Sequence, residues 1–372
     1  VFSIRWGQKD HQGLKEGILA SFVLLGIVTL ILNVIVFAGI DWIIRVLQTP
    51  SDLVELMHEY LIVIFAGLIG IFLYNFFASL LRSLGNSVVP LVFLAVSACL
   101  NIVLDLLFVA VFHRGVAGAA EATVISQYVS GIGITIYTKR KFPDLLKKDR
   151  DIRLRMSRVR EITSFSALTC LQQSIMNLGI LAVQGLVNSF GTITMAAFAA
   201  GVKIDAFAYL PVQDFGNAFS IFTAQNFGAR KADRIKKGIR VAFLTSMAFG
   251  AVISVFVFVF ARPLMTLFID AGETEVIMEG VRYLRIEGAF YYLIACLFLL
   301  YGLYRALGKP GMSVVLTIIS LGLRVALAYA LSAIPGLGVV GIWWSVPIGW
   351  ILADIFGIGY YLLKQRRLTP NF

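Results

Sequence analysis

Arg82-Ser83-Leu84-Gly85 closes one apolar stretch, and Arg305-Ala306-Leu307-Gly308 closes another 223 positions later. At that spacing Tyr60-Leu61 meets Tyr283-Leu284, and Ser97 meets Ser320. Gly115-Val116-Ala117-Gly118 likewise meets Gly338-Val339-Val340-Gly341 with no gap. Trp6-Gly7-Gln8-Lys9 aligns with Phe227-Gly228-Ala229-Arg230 at a spacing of 221. Glycines at helix ends coincide singly by chance, but not in one register across several segments. The chain is a duplication.

What is duplicated follows from composition. Of 372 residues, 59% are hydrophobic and 14% charged, against roughly 25% charged in a soluble domain. Mean hydropathy is +0.87. A soluble enzyme, a disordered chain and a collagen-like repeat are excluded. Crossing a bilayer takes about 20 apolar residues per helix. Ten such segments are read at 17–46, 57–82, 89–112, 117–138, 162–190, 192–225, 241–268, 283–304, 311–333 and 338–363. The alternating ten-residue pattern of a membrane β-barrel is missing. The expected fold is an all-α polytopic membrane protein with two pseudo-symmetric bundles. These are an N-terminal lobe, 1–138, with four helices, a basic linker, 139–160, and a C-terminal lobe, 161–372, with six. Copies in the same order form a parallel repeat, which predicts a pseudo-two-fold axis along the membrane normal. Two helices precede Phe227-Gly228 but none precedes Trp6-Gly7. The chain thus reads as N-terminally truncated, with a 6 + 6 arrangement expected at full length.

The net charge of +11 sits in connections. Ten Lys or Arg fall in 139–160 and six in 230–240, while Lys364, Arg366 and Arg367 mark the tail. The alternate connections are poor in positive charge or acidic, as at Asp270, Glu273, Glu275 and Glu279. That alternation places both ends and the basic linkers in the cytoplasm, and it removes the case for a nucleic-acid partner. Membrane lipid is the expected surrounding, and the 139–160 cluster suits anionic lipid. Cys99, Cys170 and Cys296 show no metal or disulfide spacing and read as small buried hydrophobes. Trp42, Trp343 and Trp344 read as interfacial belt residues.

Ionisable groups inside lipid are costly and functional by default. Asn101 and Asp105 share a helix face at a spacing of four, and Thr123 on the next helix falls at a similar depth. A carboxylate, an amide and a hydroxyl suit a proton or a hard cation; the same trio also suits plain helix–helix pinning. Arg324 and Asp354 match in depth and are expected to form a structural ion pair, with Asp205 and Asp214 as competing partners. A membrane enzyme would need a convergent catalytic set, and His11, His58 and His113 lie at helix ends or in loops.

Several stretches resemble the multidrug and toxic compound extrusion (MATE) family. They are Asn101-Ile102-Val103-Leu104-Asp105, Gly115-Val116-Ala117-Gly118-Ala119-Ala120, Lys203-Ile204-Asp205 and Ala224-Gln225-Asn226-Phe227-Gly228-Ala229. The resemblance covers the chain as helices three to twelve of twelve. It implies a prokaryotic inner-membrane antiporter that exports organic, cationic drugs or metabolites against H⁺ or Na⁺. No cofactor beyond the coupling ion and a monomeric state are expected. Residues matching Asn101, Asp105 and Thr123 help form the family's cation site, with a helix-one carboxylate that this chain does not contain. Tyr60 matches a cavity position. Where some members carry acidic residues on helices seven and ten, the segments here offer Gln172, Gln173, Asn177, Tyr291 and Tyr292 for substrate contact, and no carboxylate is expected there. The alternative is a lipid-linked oligosaccharide flippase of the same superfamily.

Overall fold

The computed structural model describes residues 1–46, 50–147, 152 and 154–368, with the side chains of 52 and 365–368 not described. No strand occurs among the described residues. The chain forms two compact units, Val1–Ile162 and Thr163–Phe372.

The first unit opens with α1 (Phe2–Gln8) and α2 (His11–Val46). Next come α3 (Val54–Ala66) and α4 (Leu68–Ser83), broken at Gly67. α5 (Val88–Asp105) continues into a π-helical turn, Leu106–Val111, and α6 (Gly115–Lys141) and α7 (Pro143–Leu146) follow. α8 (Met156–Asn188) begins in this unit and continues into the second. The second unit holds α9 (Thr192–Gly228), α10 (Ala232–Met265), α11 (Thr274–Gly288) and α12 (Tyr291–Ala306). α13 (Pro310–Thr317), a π turn at Ile318–Gly322, α14 (Leu323–Ser332) and α15 (Val339–Leu368) complete it.

Eight helices among the described residues are long and apolar enough to cross a membrane, and the α11–α12 pair, bent by 50°, is a ninth. The remaining expected segment is α6. Its 27 residues reach about 40 Å at 1.5 Å per residue, but they are rich in Gly, Ala, Ser and Thr and so less apolar. Small residues are what the packing of α6 requires. It is the hub of the first unit, touching α3, α4 and α5, and small side chains let helix backbones approach closely. A Cβ at Gly131 would sit 2.5 Å from the Gly70 carbonyl oxygen. Gly131→Ala is therefore expected to push α6 off α4 at a cost of about 1–3 kcal/mol, read as a lower unfolding midpoint in detergent; an unchanged midpoint refutes the close approach.

The duplication is written in the backbone. Left-handed residues pair across the two copies: Lys9 with Arg230, Gly85 with Gly308, His113 with Gly336, and Gly115 with Gly338. The helix ends they form are alike in hydrogen bonding. Asn86 N–H donates to Leu81 O at 2.9 Å, and Lys309 N–H to Tyr304 O at 2.8 Å. Asp10 N–H donates to Arg5 O at 3.0 Å, and Lys231 N–H to Asn226 O at 2.9 Å. A left-handed residue with this reach back to the last turn is how helices stop and redirect. The break at Gly67 also recurs, at Ala289-Phe290.

Apolar side chains point outward as the lipid-facing reading requires. On α2, Leu30, Val34 and Ile35 are more than half exposed. Cys99 and Cys170 are exposed too and only Cys296 is buried, which corrects the expectation of three buried thiols. Trp343 is a second correction. It is fully buried, stacked on Phe198 at 5.5 Å, and its indole N–H donates to Glu279 at 2.8 Å.

The basic stretch 139–160 falls within the bounds of the first unit. α6 runs to Lys141, α7 packs on α2 and α6, and Arg155 and Arg158 each reach the carboxylate of Glu16 at 3.1 Å. Lys148, Arg150 and Arg153 lie outside the described residues, as do the side chains of Arg366 and Arg367.

Candidate functional site

In the first unit, the Asn101 amide donates to Thr123 Oγ1 at 3.3 Å, and the Thr123 hydroxyl donates to Ala119 O at 3.0 Å. Asp105 lies one turn further along α5, half-buried, with Oδ1 shut off from solvent and without a hydrogen-bond partner. The structure thus brings Asn101 and Thr123 into contact and leaves one buried, unpartnered carboxylate oxygen a turn further along α5. Tyr60 is half-buried on α3.

A richer site lies inside the second unit. α9, α11, α12 and α14 turn Asp205, Glu287, Tyr291 and Arg324 into one cavity of about 220 Å³. Tyr283 and Tyr291 both donate their hydroxyls to the carboxylate of Asp205. Tyr283, Tyr291 and Glu287 are buried, and neither Glu287 Oε2 nor Arg324 Nε has a hydrogen-bond partner. The rings of Phe198, Tyr209, Phe298 and Trp350 form much of the remaining wall. Two carboxylates face one guanidinium, so with all three ionised the cavity carries one negative charge.

This arrangement corrects two expectations. Carboxylates are present in the C-terminal lobe: Glu287 falls within the segment expected at 283–304, and Asp205 reaches the same space from α9. Tyr283 and Glu287, four apart, share a face of α11, and Tyr291 joins them from α12 across the bend. Arg324 and Asp354 do not pair. Arg324 faces the cavity with Asp205, whereas both oxygens of Asp354 are buried without a hydrogen-bond partner, on a side chain beside Cys296. Depth along two helices does not fix direction, and the π turn at Ile318–Gly322 rotates everything after it relative to a regular helix.

Of the other expected contact residues, only Tyr291 lines the cavity. Gln172 is buried while Gln173 and Asn177 are exposed, and none of the three lines the cavity, to which α8 contributes Met176 and Ile180. Tyr292 turns away and lies 6.2 Å from the ring of Phe290. Lys203 does not face Asp205 and instead lies over the Phe268 ring at 5.8 Å. Asp214 is exposed.

Duplicated bundles of apolar helices that turn charged groups into an internal cavity define a membrane transporter. The comparisons with known proteins agree. The MatE family model matches residues 1–107 and 169–330, one stretch in each copy. The chain is 30% identical over 378 residues to the Bacillus subtilis protein named Probable multidrug resistance protein YpnP, covering 100% of this chain and 82% of that one. The Bacillus subtilis protein named Probable multidrug resistance protein YoeA is 28% identical over 379 residues, covering 98% and 80%. The crystal structure of MATE in the bent conformation matches with a TM-score of 0.92 at 23% identity, over 99% of this chain and 82% of that one, and shows the same fold. The chain belongs to the MatE family, a family of multi-pass membrane transporters and not of enzymes.

Proposed function

We propose that the protein exports compact organic cations in exchange for H⁺ or Na⁺, across a prokaryotic inner membrane with both chain ends cytoplasmic. The observation that carries this reading is the cavity of the second unit, where a carboxylate held by two tyrosine hydroxyls sits among aromatic rings. Ring faces attract cations, and one uncompensated negative charge admits one monovalent cation. The names of the Bacillus subtilis relatives support multidrug efflux. A pyrophosphate-linked oligosaccharide is a poor fit, because the one arginine lining this cavity already faces two carboxylates.

The coupling ion is assigned to the first unit. Asp105 offers an unpartnered oxygen, one helical turn from the Asn101–Thr123 pair. A membrane potential supplies about 2.3 kcal/mol per charge per 100 mV, enough for about a fifty-fold substrate gradient per ion. Such an ion drives export only if it binds two conformations with different affinity. Efflux of a fluorescent organic cation from vesicles under imposed Na⁺ or pH gradients tests the proposal. Asp105→Asn is expected to abolish gradient dependence while leaving equilibrium binding of the cation within about twofold of the parent. Asn101→Ala and Thr123→Ala should weaken the gradient dependence. Normal efflux by Asp105→Asn under both gradients would move coupling elsewhere.

A further inference from the structure

The connection after α10 lies at the opposite end of that helix from the basic stretch 230–240. Positive charge is depleted on the side of a membrane protein away from its basic connections. Yet Arg262, Arg282 and Arg285 gather there around one cavity of about 550 Å³. Arg282 meets Glu279 at 3.3 Å. Neither Arg262 nor Arg285 forms an ion pair among the described residues, although Asp270, Glu273 and Glu275 belong to the same connection and the turn that follows it. Arg285 lies over the Phe258 ring at 5.5 Å. The rest of the cavity wall is mostly apolar, with Met278, Val281 and Ile286 on α11. On α10, Val259 and Val255 precede Arg262 by three and seven residues, across the kink at Phe260, and are 60% and 65% exposed.

We propose that this cavity holds the headgroup of an anionic phospholipid, its phosphodiester between Arg262 and Arg285 and an acyl chain along Val255 and Val259. Guanidinium groups match phosphate oxygens in a bidentate fork, and two arginines without carboxylate partners at a lipid-facing surface are left seeking an anion. The exposed apolar side chains that precede Arg262 on α10 select a lipid over a free phosphate ion. Such a lipid ties the end of α10 to α11, the helix that carries Glu287 and Tyr283.

The test is thermal unfolding of the purified chain in detergent with added phosphatidylglycerol, phosphatidylcholine or inorganic phosphate, with bound lipid counted by native mass spectrometry. Phosphatidylglycerol is expected to raise the midpoint by about 5 °C and to remain bound as a stoichiometric adduct. The R262Q/R285Q double variant should lose both the shift and the adduct, and R262K/R285K should keep part of each. The control R234Q/K237Q, at the other end of α10, should respond like the parent. If the double variant unfolds before lipid is added, the adduct count on the single variant R262Q decides, with retention of the full adduct overturning the proposal. Equal stabilisation by phosphatidylcholine or by phosphate alone, or an undiminished response in the double variant, would overturn it too.

Discussion

Asp205→Asn is expected to abolish export of organic cations while the protein stays folded. The Tyr283 and Tyr291 hydroxyls donate to separate oxygens of Asp205. Asparagine keeps one oxygen to accept from one of them, and its N–H donates to the other tyrosine oxygen, so α9 stays tied to α11 and α12 with one bond reversed. The charge does not. Glu287 and Arg324 then balance each other, and the cavity loses its attraction for a cation. Losing one partner of a buried charge pair costs about 2–5 kcal/mol, which is about thirty-fold to several thousand-fold in affinity. Equilibrium binding of the fluorescent cation should fall by that factor and vesicle efflux with it, whereas the unfolding midpoint should move by less than about 3 °C. Tyr291→Phe leaves the charge and removes one donor, so a smaller loss of about tenfold is expected, the low end for a charge-assisted bond worth about 1.5–3 kcal/mol, because the Tyr283 hydroxyl still donates. A folded Asp205→Asn protein that binds and exports the cation normally would take the substrate site out of this cavity.

The difference between the two copies explains why the polar residues of the first stood out in sequence and the cavity of the second did not. Asn101 and Arg324 stand at the same point of the duplication, as do Tyr60 and Tyr283, and Ser97 and Ser320. In the first copy the polar residues stand alone in apolar helices, and a run such as Asn101-Ile102-Val103-Leu104-Asp105 announces itself. In the second copy the charges are spread over α9, α11 and α14, separated by up to 119 positions of chain from Asp205 to Arg324. Arg324 and Asp205 read separately as pairing residues, and Glu287 carries no reading of its own. Their convergence depends on the 50° bend between α11 and α12 and on the π turn before Arg324. Neither feature has a hydropathy signature. The fold itself was readable because helix stops are local: a left-handed residue after an Arg-x-Leu run ends the helix in both copies, whatever the tertiary context. The placement of Trp343 was not, since a tryptophan near a helix end satisfies its N–H equally well at a lipid interface or on a half-buried glutamate.

Glu16→Ala is expected to be the most destabilising single change outside the cavity. Glu16 is 1% exposed near the start of α2, and the Nε atoms of Arg155 and Arg158 each lie 3.1 Å from one of its oxygens. Arg158 also reaches Glu161 at 3.5 Å; Glu161 accepts from Arg5 at 2.6 Å, and Arg5 holds Asp10 at 3.1 Å. The network fixes the first turn of α8 to α1 and α2, at the point where the chain leaves the first unit. Breaking a buried pair by deleting one partner costs about 3–5 kcal/mol, because the remaining charge is stranded. Here Arg155 is 56% and Arg158 28% exposed at the side chain, so water takes up part of the stranded charge. The expected cost is about 3 kcal/mol, at the low end of that range. Unfolding in detergent measures it, and trypsin should cut faster after Arg155 and Arg158 once they are released. A double-mutant cycle separates the pair from mere packing: Glu16→Ala combined with Arg158→Ala should cost at least about 1 kcal/mol less than the sum of the single changes. Strict additivity would mean that Glu16 acts through its shape alone and that the ion network does not anchor α8.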